Sequence, residues 1–188
     1  KPFWEKDCLQ WLFLSSYADL PFEEAEQWQL KIMDEFSKEM CLIPKGEFLM
    51  GALKDDKDAK EREKPQHRVR ISKDYWVGKY PVTQYLVRKI MGESWWGYVE
   101  GLTRPSDTMT WFQAIEFCNA YSRFLGREEV YTLKGKEDRN PKCNWKANGV
   151  RLLTEAEWER AAKGGTSYHK FAGSNFPELV AWYSDTSG

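Results

Sequence analysis

Residues 151–165, with the sequence RLLTEAEWERAAKGG, constrain the fold most strongly because they specify a short helix at both of its ends. Thr154 stands where an N-cap belongs, and Glu157 follows three residues later, which is the spacing of a capping box. Gly164 and Gly165 follow the last predicted helical residue, where a left-handed backbone conformation favours glycine. The sequence therefore predicts a helix that begins after Thr154 and ends before Gly164.

Four further motifs precede this helix along the chain. They are GEFLMG at 46–51, Glu63-x-Pro65-x-His67-x-Val69, YPVTQ at 80–84, and Trp111-x-x-Ala114-x-x-Phe117-Cys118-Asn119. Together with the helix segment, these motifs resemble the formylglycine-generating enzyme (sulfatase-modifying factor) family in their residues and their order. The resemblance covers residues 41–188, and it departs from the family pattern at Leu153, where the family has proline, and at Lys163, where it has arginine.

The resemblance implies a mixed α+β fold of the C-type-lectin-like type, in the enlarged and loop-rich form of this family. It implies two segments: residues 1–40, an N-terminal helical segment outside the family match, and residues 41–188, a family domain without its C-terminal part. In the oxidase members, the copper-binding cysteine pair and the calcium ligands belong to that later part. We therefore expect no cofactor in residues 1–188, and calcium only through the C-terminal part of the domain.

The composition favours a globular protein and argues against two classes of partner. Hydrophobic residues make up 41% and charged residues 30% of the 188 residues, which is ordinary for a soluble domain. The net charge is −1 and no basic face for phosphates is evident in the sequence, so we expect no nucleic-acid partner. No apolar run approaches membrane-spanning length. The four cysteines have no Cys-x-x-Cys spacing and favour a reducing, cytoplasmic compartment, although a removed signal peptide stays open.

The N-terminal segment carries two amphipathic patterns. Apolar residues recur between residues 4 and 13, and again at spacings near three and four between Phe22 and Met40. Pro21 separates the two patterns and suits the first turn of the second helix. The sequence predicts a helical pair, which is either a hairpin packed on the domain or a docking element for a partner chain.

Between the motifs, the pattern predicts short strands and two further helices. Strands are expected at 41–50, from Val69 towards Lys79, and at 130–133. Helices are expected from Val82 to about Met91 and from about residue 111 to 125, the second capped by Thr110. The charged run at 54–64 predicts a solvated loop, and its aspartates fail the pattern of a calcium-binding loop.

Two groups of residues are candidates for a functional or structural role. Exposed aromatics in the predicted loop at 92–101 are the candidate ligand-binding residues, namely Trp95, Trp96 and Tyr98. The alternative is that they pack beneath the loop. The second group forms the structural motif of the family and consists of Arg151, Thr154, Glu155, Glu157, Trp158 and His67. The three glutamates lie two residues apart and do not face one another on a helix, so we expect no catalytic cluster.

Three functions compete for a chain of this family. The first is a non-catalytic binding or scaffold module for a protein or peptide, because such folds display variable loops on a rigid frame. The second is a copper-dependent oxidase that converts a substrate cysteine to formylglycine, which needs thiolates for copper(I). The third is a relative of the non-haem iron enzymes of sulfur-containing histidine-derivative synthesis, which need a His-rich helical domain. The cysteines of this chain do not match the catalytic positions of the oxidases, and neither histidine lies in residues 1–40, so we favour the binding module over both enzymes.

Overall fold

The computed structural model describes residues 40–92, 101, 104–135, 140–164 and 169–181. These residues form two compact units. The first unit contains 40–77, 153–164 and 169–181, and the second contains 78–92, 101, 104–135 and 140–152. Apart from Met40, the predicted N-terminal helical pair lies outside the described residues, and so do Trp95, Trp96 and Tyr98.

The first unit is built from four strands and one helix. The strands are β1 (Met40–Ile43), β2 (Gly46–Met50), β3 (His67–Ile71) and β4 (Tyr75–Gly78). Strand β1 pairs with β4, and β2 pairs with β3 in antiparallel register, with Phe48 opposite Val69. Two short 3-10 helices, Glu61–Glu63 and Pro177–Leu179, lie in the connections. The family helix, Glu155–Lys163, belongs to this unit and is α3 in chain order.

The single strand expected at 41–50 was wrong, because the structure divides it into β1 and β2. Pro44 lies at the division and has no backbone N–H to donate to a neighbouring strand. The next amide, of Lys45, donates to Asp74 Oδ1 at 2.7 Å instead of continuing a ladder. The two halves are therefore free to pair with different strands.

The second unit holds the remaining helices and a small hairpin-like sheet. Helix α1 is Gln84–Met91, with Thr83 as its N-cap, and α2 is Trp111–Phe124, with Thr110 as its N-cap. Strands β5 (Tyr131–Thr132) and β6 (Lys142–Cys143) pair antiparallel. Both helix starts agree with the capping residues in the sequence, because side-chain caps act locally.

The core of the second unit lies between α2 and the β5–β6 sheet. It is centred on Ile115, Cys118, Val130 and Tyr131, with five partly buried hydrophobic residues packed against them. Asn119 of α2 is buried and fixes β5 twice, because its side chain donates to the carbonyl oxygen of Tyr131 at 2.7 Å and accepts from its amide at 2.9 Å. Helices and small antiparallel sheets together give the α+β class that the sequence predicted.

Candidate functional site

Helix α3 carries the family segment, and its ends have the predicted geometry. Thr154 Oγ1 accepts from the amide of Glu157 at 3.2 Å, while Glu157 Oε2 accepts from the amide of Thr154 at 2.9 Å. Gly164 adopts φ 58° and closes the helix. These reciprocal bonds satisfy helix amides that would otherwise lack partners, so the side chain of Glu157 is engaged at the helix start.

The basic residues of α3 hold the edge of β2. Arg160 donates from Nε and Nη2 to the carbonyl oxygen of Pro44 at 3.0 and 2.7 Å, and from Nη1 to that of Glu47 at 3.3 Å. Lys163 Nζ donates to the carbonyl oxygen of Leu49 at 2.6 Å. Glu47 and Leu49 are two residues apart, so their carbonyls point to the same side of the strand. The helix thereby covers a strand edge that would otherwise offer unpaired acceptors.

Glu159 completes this contact at the end of β2. Its Oε1 accepts from the amide of Gly51 at 2.7 Å and lies 2.6 Å from Lys163 Nζ. Gly51 has φ +95°, and a Cβ there would lie 2.6 Å from the carbonyl oxygen of Glu63. At Gly46 a Cβ would lie 2.8 Å from Arg160 Nη2. Gly51 is therefore required by a close backbone approach, whereas at Gly46 the neighbour is the flexible end of Arg160 and the φ of +149° is what favours glycine.

The other predicted motif residues are mostly exposed and differ in what they contact. Glu155 is exposed on the first turn of α3, and Trp158 is 62% exposed. The ring Nδ1 of His67, an exposed residue, lies 3.0 Å from the carbonyl oxygen of Pro65. Arg151 belongs to the second unit, where its guanidinium lies 5.1 Å from the ring centroid of Trp145. Glu155 and Trp158 therefore share helix α3, whereas Arg151 belongs to the other unit.

Sequence reasoning missed Gln84, which fixes the chain after the predicted aromatic loop. Its side chain is almost fully buried, with Oε1 accepting from the amide of Gly101 at 2.9 Å and Nε2 donating to the carbonyl oxygen of Pro105 at 3.4 Å. The backbone amide of Gln84 donates to the carbonyl oxygen of Arg104 at 2.9 Å. The signal was present in the YPVTQ motif at 80–84, whose last residue is this glutamine. A buried amide with both ends satisfied holds its partners rigidly.

Two of the described thiols are poor candidates for the copper(I) ion of the oxidase members. Burial raises the pKa of Cys118 to about 12, and burial also raises the pKa of Cys143, partly opposed by the nearby Arg151. Copper(I) is held by thiolates, so a metal must overcome this raised pKa before either sulfur can bind it. In the ranges that the structure describes, no three His, Cys, Asp or Glu residues are grouped closely enough to hold a metal ion.

The charged run at 54–64 lines two open depressions in the first unit. The larger, of about 520 Å³, is lined by Leu53, Lys54, Asp55 and residues 64–66. The smaller, of about 210 Å³, adjoins Lys170, whose ion pair with Asp58 lowers the pKa of that exposed carboxyl. Charged residues are five of the eight that line the two depressions, and both depressions are open to solvent rather than enclosing a ligand as small-molecule sites do.

Comparison with known proteins identifies the family. Residues 31–187 match the model described as the sulfatase-modifying factor enzyme 1-like domain. The chain belongs to this family. The family that the motif order predicted is therefore confirmed, and so is the α+β fold of its members.

Several relatives show how the chain compares with other members. Chaperone protein LppX of Paenibacillus barcinonensis is 39% identical over 129 residues, which are 61% of this chain and 46% of that protein. Treponema denticola variable protein 1 is 29% identical, with a TM-score of 0.66 over 79% of this chain and 62% of that one. CarF, at 21% identity and a TM-score of 0.60 over 79% and 68%, shows the same fold. This chain thus spans about half the length of the curated relative.

Among the described helices, none is long and apolar enough to cross a bilayer.

Proposed function

We propose that this chain is a non-catalytic module that binds a protein or peptide, with the aromatic segment around Trp95, Trp96 and Tyr98 as its ligand surface. The observation that carries the proposal is the engagement of the family segment in architecture. Glu157 caps α3, and Glu159, Arg160 and Lys163 hold β2. Groups engaged in this way are held by the scaffold rather than presented to a substrate.

Gln84 holds the residues that follow the aromatic segment, and this supports the choice of surface. Recognition loops work best when a rigid scaffold positions them, because less ordering entropy is lost on binding. Gly101 and Pro105 follow the aromatic segment, and both bond to the buried side chain of Gln84. A tryptophan pair next to residues held in this way would offer a large contact area and lose little conformational entropy on binding.

The relative from Paenibacillus barcinonensis supports the choice of ligand class. It is named a chaperone protein, and a chaperone acts by binding another polypeptide. We extend that class of ligand to this chain, and we keep calcium as a prediction for the C-terminal part of the family domain.

The first test measures peptide capture. A random phage-displayed peptide library is panned on the immobilised chain and on a Trp95→Ala/Trp96→Ala/Tyr98→Ala variant, with Trp111→Ala as a control at an exposed aromatic of α2. Selected peptides are then titrated by calorimetry. We expect enrichment with the chain and the control, and loss of enrichment with the triple variant. Equal enrichment on all three proteins would contradict the choice of surface.

A second test addresses the oxidase alternative. The chain is supplied with copper(I), oxygen and a cysteine-containing sulfatase-type peptide, and the peptide is followed by mass spectrometry. We expect no conversion of the cysteine to formylglycine. Turnover together with tight copper(I) binding would overturn the proposal and establish the enzyme.

A further inference from the structure

Trp145 is an exposed aromatic residue on a well-formed turn of the second unit. The amide of Ala147 donates to the carbonyl oxygen of Asn144 at 3.1 Å, and the amide of Lys146 donates to Asn144 Oδ1 at 3.1 Å. Trp145 and Lys146 are therefore the two central residues of the turn, which asparagine stabilises through its side chain. Trp145 is 62% exposed, so much of its indole surface is accessible to a ligand.

Both sides of this turn are fixed to the core. The amide of Asn144 donates to the carbonyl oxygen of Val130 at 2.7 Å, and Val130 is a fully buried core residue. Cys143 before the turn and Ala147 after it pack against the same core. The indole is thus presented from a rigid base, so a ligand that contacts it orders little additional backbone.

Arg151 extends the aromatic surface with a cation. Its guanidinium carbon lies 5.1 Å from the ring centroid of Trp145, which is the geometry of a cation–π contact. Its Nη1 donates to the carbonyl oxygen of Leu152 at 3.0 Å, which helps to hold the guanidinium in place. The pair therefore combines a flat aromatic surface with a positive charge.

The surrounding charge is positive. Residues 140–153 contain three cations, Lys142, Lys146 and Arg151, and no acidic residue. Lys142 and Lys146 are exposed. Two carboxylates lie on the segment just before β5. Glu129 forms an ion pair with Arg123, and Glu128 is the other.

We propose that Trp145, Lys142, Lys146 and Arg151 form a second binding surface, specific for an acidic polypeptide segment that carries an aromatic or apolar side chain. The apolar side chain would contact the indole, and the carboxylates would face the three cations. This surface goes beyond the proposed function, because it does not use the aromatic segment at 95–98. A polypeptide suits it better than a nucleic acid, because three cations neutralise few phosphates and the chain carries a net charge of −1.

The test uses fluorescence anisotropy with a dye-labelled peptide, Glu-Glu-Phe-Glu-Glu-Phe, at low and at physiological salt. We expect binding that weakens as salt rises, since exposed charges are screened. Trp145→Ala should lower the affinity about tenfold, which is the effect of losing an aromatic anchor. Lys142→Glu/Lys146→Glu should weaken binding and remove most of its salt dependence.

Trp158 provides a matched control, because it has the same exposed fraction of 62% but lies on helix α3. Trp158→Ala should leave the affinity unchanged. Equal losses in Trp145→Ala and Trp158→Ala, or no binding of the acidic peptide at all, would overturn the proposal. So would tighter binding of a single-stranded thymidine oligonucleotide than of the peptide. Circular dichroism of each variant checks that it folds, which an exposed substitution should permit.

The same assay separates this surface from the proposed function. The Trp95→Ala/Trp96→Ala/Tyr98→Ala variant should bind the acidic peptide as the unaltered chain does. If that triple variant loses the peptide while Trp145→Ala retains it, the second surface is refuted and the aromatic segment is supported. If neither variant loses it, the second surface is refuted, while the aromatic segment is still decided by the panning experiment.

Discussion

The contact between Glu159 and Lys163 should contribute measurably to stability, and its size follows from the geometry. The Lys163 ammonium lies 2.6 Å from Glu159 Oε1 and donates to the carbonyl oxygen of Leu49 at 2.6 Å, with the two side chains only 16% and 23% exposed. A hydrogen bond to a charged group contributes about 1.5–3 kcal/mol. Lys163→Met removes both the ion pair and the bond to Leu49 and should therefore lower the free energy of unfolding by at least about 2 kcal/mol.

Glu159→Gln is the gentler partner in this comparison. Glutamine keeps an oxygen that can accept from the Gly51 amide, now 2.7 Å from the carboxylate, but it loses the ion pair. We expect a loss of about 1 kcal/mol, the scale of one neutral hydrogen bond. The double variant should lose less than the sum, with a coupling of about 1 kcal/mol, because the two residues contact each other.

Urea unfolding followed by far-UV circular dichroism measures these differences, and amide exchange at Gly51 reports the local contact. Lys73→Met is the matched control, because Lys73 is an exposed lysine of the same unit. It should change stability by less than about 0.5 kcal/mol, as surface substitutions do. If Lys163→Met costs no more than the control, or if the double variant is additive and Gly51 exchange is unchanged, the assigned role of these residues is wrong.

Three further predictions concern other contacts of the two units. Thr154→Ala should lower the free energy of unfolding by about 1 kcal/mol through the lost cap, and Thr154→Ser should restore most of it in the same urea assay. The buried Cys118 thiol has its pKa raised from 9.0 to about 12, so folding stability should be unaffected below pH 9 and should fall between pH 9 and 12. A pH series of urea unfolding should show a weaker fall for Cys118→Ala. Gly149→Ala places a Cβ 2.0 Å from the carbonyl oxygen of Glu128, and this clash should lower the free energy of unfolding by about 1–3 kcal/mol or more. Gly126→Ala meets open space, but its φ of +66° should lower it by about 1–2 kcal/mol. Thermal unfolding measures both.

The helices were predictable from the sequence because their signals are local. Thr110 and Thr154 each accept from an amide three residues later, and both caps belong to the segment that they start. Gly126 and Gly164 adopt positive φ just after their helices. Such contacts depend on neighbouring residues alone, so a short stretch of sequence contains the whole interaction.

The strand pairing and the contact of α3 with β2 were not predictable in this way. The division of 41–50 depends on which partner each half finds, and the residues of β2 pair with residues of β3 that lie 17 to 25 positions later in the chain. Arg160 bonds to the carbonyl of Pro44, 116 residues earlier. The sequence predicted charged side chains on α3, but it contains no local sign of the backbone groups that they reach.

One departure from the family pattern, at Lys163, indicates whether the signature specifies chemistry or architecture. Lys163 stands where the family has arginine, yet its ammonium still reaches the carbonyl oxygens of Leu49 and Gly51, at 2.6 and 3.4 Å. A lysine acts as a point charge and does not reproduce the planar fork that arginine offers a bidentate ligand. Backbone carbonyls need only a nearby donor, so this position tolerates either cation. The signature therefore specifies how α3 holds β2, and differences in function within this scaffold should be sought in the segments that it displays, such as the turn at Trp145.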